Sequence, residues 1–317
     1  MSFVGHEEPW RQWRAALGGS RMHHAWMLTG RRGSGKMHFA LAAAHELVGG
    51  GPEAQSHPDI LVLSHLPATR DDEKKRDEGK PFNLKRNISV DQIRTMQQRL
   101  TTRPTLGERR AVIIDPADDM EKSASNALLK SLEEPPVGSF FLLVTHRPGR
   151  LLPTIRSRCR VVRFPQLGDA DVNRILAAEA PQADAATRAA AVAAGSGSPG
   201  AALEFVEQDL GRLHRAMHRI AREGDADFAL RGELANAMGG RPGRARQLAA
   251  IDLARSIVAQ EMGGTPRGAI PALVEAHSAL TRLSAQAPTY NFDPGLLVME
   301  IGGLLATLGA SRDGANG

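Results

Sequence analysis

The chain has 317 residues, 42% of them hydrophobic, a single cysteine and a formal net charge of +5. That length allows two or three domains with a sizeable core, while the lone Cys159 excludes an internal disulfide framework and any cysteine-cluster zinc site. No apolar run approaches the roughly 20 residues of a membrane span, and one Tyr with 4% aromatics argues against a stacking platform for single-stranded nucleic acid. The positive balance fits ordinary solvated faces or contact with phosphates, and charge alone does not separate the two.

Residues 1–8 contain no basic stretch leading into an apolar one, so no secretory leader is expected and a cytoplasmic location is. Five short apolar runs follow, at 25–29, 59–64, 111–115, 140–145 and 160–164. Between them lie segments of helical period: Phe39, Ala43 and Leu47 share one face, as do Leu128, Leu129 and Leu132. Alternation of this kind predicts a parallel sheet covered on both sides. Val112-Ile113-Ile114 is continuous rather than alternating, as a strand buried on both faces requires. The run Arg70-Asp71-Asp72-Glu73-Lys74-Lys75-Arg76-Asp77-Glu78 breaks this rhythm, and its mixed charge predicts a mobile surface loop over 66–87 without a buried face, with a DNA-contacting loop as the alternative. Beyond Pro165 the pattern becomes helical, with helices expected at 169–179 and 185–194 and a Gly-Ser-rich turn at 195–200. Longer amphipathic helices follow, carrying Leu213, Met217 and Ile220, then Leu273, Ala276, Leu280 and Leu283, with Pro271, Pro288 and Pro294 at helix boundaries.

Three motifs carry chemistry. Gly30-Arg31-Arg32-Gly33-Ser34-Gly35-Lys36 follows a predicted strand and opens a predicted helix, where glycines let the backbone wrap phosphates and the lysine meets their charge. The next position, which normally holds magnesium through a hydroxyl, is Met37, and a thioether is a poor ligand for a hard cation. ATP binding therefore stays open and magnesium is poorly provided for. Asp115, at the tip of another predicted strand, could support a metal-bound water, but Pro116 stands where a water-orienting glutamate belongs. Thr145 ends a further strand, where it can cap it, and Ser157-Arg158-Cys159 places an arginine between two small residues.

Ser125-Asn126-Ala127-Leu128-Leu129-Lys130-Ser131-Leu132-Glu133-Glu134-Pro135-Pro136 resembles a segment shared by clamp-loader subunits of the AAA+ class, as does Leu151-Leu152-Pro153-Thr154-Ile155-Arg156-Ser157-Arg158-Cys159. With His24-Ala25 before the first strand, these runs are similar to the delta-prime family of bacterial DNA polymerase III, over roughly residues 5–207. The resemblance implies an α/β P-loop AAA+ module with a five-stranded parallel sheet (residues 1–165), a small helical lid (166–207) and an all-α C-terminal collar (208–317). It implies a clamp-loader subunit acting in DNA replication, within a hetero-oligomeric ring of motor and delta-like subunits that loads a sliding clamp onto primed DNA. Arg158 would then be an arginine finger acting in trans on a neighbour's ATP. Residues Gly30 to Met37, Asp115 and Thr145 would line a degenerate nucleotide site. Two departures bear on this. The stretch 48–57, where many members carry a four-cysteine zinc module, has no cysteine, so no zinc and no other metal is expected. Gly200 stands where hydrolytic relatives bring a lid arginine, so little intrinsic catalysis is expected. An ATP-hydrolysing motor subunit, and an AAA+ adaptor that recruits a repair helicase or nuclease, remain as alternatives.

Overall fold

The computed structural model describes residues 4–19, 22–49, 57–80, 82–262, 268, 270–286 and 292–313. Most of the stretch 48–57, and Pro288, lie outside the described residues. The chain divides into two compact units, residues 1–166 and 167–317.

The first unit is a five-stranded, all-parallel sheet in the order β2-β3-β4-β1-β5, with β1 Ala25–Gly30, β2 Ile60–Leu63, β3 Arg110–Ile114, β4 Ser139–Thr145 and β5 Arg160–Phe164. Its helices are α1 Glu7–Leu17, α2 Lys36–Val48, α3 Arg70–Asp77, α4 Val90–Leu100, α5 Lys122–Glu133 and the single turn α6 Pro153–Arg156. Successive strand residues face opposite sides. Met27, Val112, Ile114, Phe141 and Leu143 meet α4 and α5 through Ile93, Met96, Leu128 and Leu132. Trp26, Leu28, Ile113, Leu142 and Val144 meet α1 and α2 through Trp13, Phe39, Ala40 and Ala43. Two apolar layers thus clamp the sheet, which is why β3 is buried along its whole length.

Behind α4 a buried ion pair fixes the chain. Arg110 donates to the carbonyl of Arg99 in the last turn of α4 and to those of Thr102 and Arg103 just after it, and its guanidinium lies 3.4 Å from the Asp59 carboxylate. Asp59 in turn accepts the amides of Thr105 and Leu106 at 2.7 and 2.8 Å. One guanidinium thus satisfies a leftover carbonyl of the helix end and two of the segment that leaves it.

The structure corrects the expectation for 66–87. The segment contains α3, and its two arms pair through Ala68 N–H to Asn83 O (2.8 Å) and Lys85 N–H to Leu66 O (2.6 Å). Thr69 caps α3 by accepting from Asp72 N–H, and the Asp72 side chain turns inward to accept from Asn83 N–H at 3.0 Å and Thr69 Oγ1 at 2.7 Å. A charge run without apolar period has folded around one inward carboxylate and a cap, the local bonding that aspartate and threonine favour at helix starts.

The second unit is helical: α7 Asp169–Glu179, α8 Ala185–Gly195, α9 Pro199–Glu207, α10 Gly211–Glu223, α11 Ala229–Met238, α12 Arg244–Glu261, α13 Ile270–Gln286 and α14 Pro294–Asp313. Leu213, Met217 and Ile220 are buried, as are Leu273, Ala276 and Leu280, while Leu283 is partly buried against the same core. Pro271 and Pro294 stand in the first turns of α13 and α14, where a missing N–H costs nothing. Among the described residues no helix is long and apolar enough to cross a membrane.

Candidate functional site

The phosphate-loop motif lies where its spacing places it, between β1 and α2. Its glycines are needed. A Cβ at Gly30 would come within 2.6 Å of Phe164 O, and Gly35 caps α2 in the left-handed region at φ 85°. Arg31 and Arg32 are exposed, Ser34 is buried, and Gly33 also takes a positive φ of 76°.

Lys36 turns into this loop. Its Nζ donates to Gly30 O at 2.8 Å, Arg31 O at 2.6 Å and Ser34 Oγ at 3.2 Å, so all three ammonium hydrogens have partners. Burial lowers its pKa to about 8, against the opposing pull of Asp115 and Asp118. His6 closes the loop from the other side: its Nε2 bonds Ser34 O at 2.6 Å and its ring stands edge-on to Phe164. Because a carbonyl only accepts, Nε2 carries the hydrogen. Met37 packs its thioether against the apolar layer of α1 and α2. The loop has the backbone for phosphates, but its residues do not fit magnesium, which needs oxygen ligands.

Asp115 stands just beyond β3, its carboxyl raised above the usual range by burial, with Lys36 opposing the shift. The better-built carboxylate is Asp118. A single 3-10 turn over Ala117–Asp119 swings it back beneath the end of β4, where Oδ1 accepts Thr145 Oγ1 and His146 N–H, both at 2.9 Å. Burial opposes ionisation there, yet these bonds and the Arg147 guanidinium at 3.3 Å hold the group below the ordinary carboxylate range. Thr145 is therefore tied to Asp118 and has no exposed surface. Burial, with Lys36 adding to it, pushes His146 down to about 4. Spacing along the chain marks neither Asp118 nor His6 as a member of this cluster: one depends on a turn, the other on a contact 28 residues away.

Arg158 lies elsewhere. β5 runs beside β1 with Arg160 level with Trp26 and Phe164 level with Gly30. Arg158 thus precedes the base of β5, while the loop sits at the top of β1. Four strand residues separate the two levels, about 13 Å, a span no single side chain covers. Arg158 instead donates to Thr154 O at 2.9 Å and pairs with Glu133 at 2.9 Å, with about a third of its side chain (35%) exposed. Cys159 beside it packs against the α4–α5 layer, and burial pushes its thiol up to about 12, which removes it as a nucleophile.

Comparison with known proteins accords with this arrangement. Residues 5–168 match the family model described as DNA polymerase III, delta subunit. The chain belongs to this family. It is 35% identical to the DNA polymerase III subunit delta' of Pseudomonas aeruginosa over 209 residues, covering 60% of this chain and 58% of that one. It is 33% identical to the delta' subunit of Escherichia coli over 157 residues, covering 50% and 42%. The chain thus spans about half the length of these curated relatives. A solved DNA polymerase III gamma subunit-related protein of Thermotoga maritima shares the fold, with a TM-score of 0.51 at 21% identity over 94% of this chain and 98% of that one. The five-stranded sheet and the helices that follow it thus have the fold of that solved protein.

Proposed function

We propose that the chain is a delta-prime-like subunit of the DNA polymerase III clamp loader, which completes a neighbour's ATP site with Arg158 and does little hydrolysis itself. In this reading residues 166–207 form a lid and 208–317 a collar that joins the other loader subunits. The sliding clamp and primed DNA are reached through the assembly. The observation that carries the reading is the position of Arg158, at the opposite end of the sheet from its own phosphate loop. A planar, permanently charged guanidinium there is out of reach of its own loop and suited to a nucleotide held by another subunit. Its present partner is weak competition, since an exposed ion pair is worth about 0.2–1 kcal/mol, and a phosphate can displace Glu133.

The chain's own loop supports the second half of the reading. Lys36 is satisfied by loop carbonyls, Met37 cannot hold magnesium, Pro116 carries no base and Gly200 no guanidinium. ATP then binds weakly if at all, and zinc has no thiolate set to hold it. Copurification with loader subunits separates this role from that of an adaptor outside replication. Steady-state turnover by the isolated chain separates it from a motor subunit: we expect none above background, and turnover abolished by Lys36→Ala would overturn the reading.

A further inference from the structure

The lobe over 66–87 takes no part in the function argued above. Its shape is set from inside, by the Thr69 cap, the inward Asp72 carboxylate and the two backbone bonds between its arms. Its remaining charges face solvent. Arg76 pairs with Asp77 at 2.9 Å and Lys80 with Glu78 at 2.7 Å, which neutralises four of them. Arg70, Lys74, Lys75, Lys85 and Arg86 are exposed, and none of these side chains makes a hydrogen bond or an ion pair among the described residues. The exposed carboxylates left over are Asp71 and Glu73, both in the first turn of α3, where the helix N-terminus favours them. Over 66–87 seven Lys and Arg stand against five Asp and Glu, Asp72 included, a net charge of +2, and the five cations without a hydrogen bond or ion pair lie on the lobe's surface. Arg70 and Lys74, one helical turn apart, form a row along α3.

We propose that this lobe is a contact surface for the phosphate backbone of nucleic acid, engaged directly by this chain. The proposal rests on the reading of the chain as a replication protein and goes beyond it, since that reading brings DNA only through the assembly. Phosphate contacts need unpaired cations on an ordered element, and no pocket, whereas a protein partner needs buried anchor sites. Two clefts of the unit, of 520 and 460 Å³, are lined by other residues. Contacts of this kind fix position without reading base sequence.

The test is fluorescence anisotropy of the full chain with a labelled DNA duplex across a salt series. Replacing all five cations by alanine should weaken binding roughly tenfold or more at low salt and flatten the log–log salt slope by about 0.9 for each phosphate that is no longer neutralised. Far-UV circular dichroism and Tm should stay unchanged, because the five side chains are exposed and unpaired. Lys74→Arg with Lys75→Arg should retain the wild-type affinity. Equal affinity and slope in wild type and the alanine variant would overturn the proposal. So would tighter binding to a poly-glutamate peptide than to the duplex, which would make the lobe a site for acidic protein. Copurification with loader subunits is read separately: its loss with DNA binding intact removes the replication role and leaves the lobe, while the reverse removes the lobe alone.

Discussion

Two cationic side chains divide the chemistry of this chain. Lys36 is engaged by its own loop, and Arg158 is held on the surface by one carboxylate and one carbonyl. Between them Asp118 is the structural pin of the loop cluster. Asp118→Ala should destabilise the fold by about 2–3 kcal/mol, because Thr145 Oγ1 and the His146 amide would be left buried without an acceptor. Urea denaturation measures this, and Asp118→Asn, which can still accept both bonds, should cost less. A loss no larger than that of a surface substitution would refute the role assigned to Asp118. His6 has a different consequence. With its ring near Gly35 and against Phe164 and its Nε2 on Ser34 O, it braces the loop. His6→Ala should therefore lower Tm, read by thermal denaturation, while ATP turnover stays at background.

At the scale of elements, the Arg110–Asp59 pair fastens α4 to the sheet. Arg110→Ala would leave the buried Asp59 carboxylate without its countercharge and the carbonyls of Thr102 and Arg103 without their guanidinium donor, and should cost about 3–5 kcal/mol in chemical denaturation. Helix α10 carries part of the pH dependence, as does His146 in the first unit. His214 and His218 face each other, Nε2 to Nε2 at 3.1 Å, one turn apart. Burial, with His218 and Arg215 adding to it, lowers His214 to about 4, and burial with Arg222 lowers His218 against Glu261. A histidine depressed in the fold is protonated first in the unfolded chain. Stability is therefore complete above the unfolded value near 6.5 and declines as pH falls from there toward 4. His214→Gln should flatten the fall of Tm over that interval; an unchanged pH profile would show that the pair does not titrate with folding. These elements also show what the sequence could reveal. β3 and β4 were legible because their apolar runs are continuous, and α7 because its period is regular. The lobe at 66–87 was misread because its order comes from Asp72 and Thr69 bonding locally, which no hydrophobic period records. The 3-10 turn that recruits Asp118 hides for the same reason.

At the scale of the molecule, the family match and the sheet order fix the fold, and the proposed function assigns the chain a contribution outside its own nucleotide site. The positions of Gly30 to Lys36 and of Arg158 were legible as motifs. Their separation along the sheet was not, since it follows from the register of β5 on β1. That separation makes Arg158 the centre of the account. The most direct measurement is clamp- and DNA-stimulated ATP hydrolysis by loader assemblies reconstituted with wild-type or Arg158→Ala chain. Assembly should be unaffected, because one exposed arginine contributes little to stability. Hydrolysis at the adjoining site should fall by on the order of 10³-fold, and Arg158→Lys should restore it only in part, since an ammonium lacks the planar fork. Equal hydrolysis by the wild-type and Arg158→Ala assemblies would contradict the account.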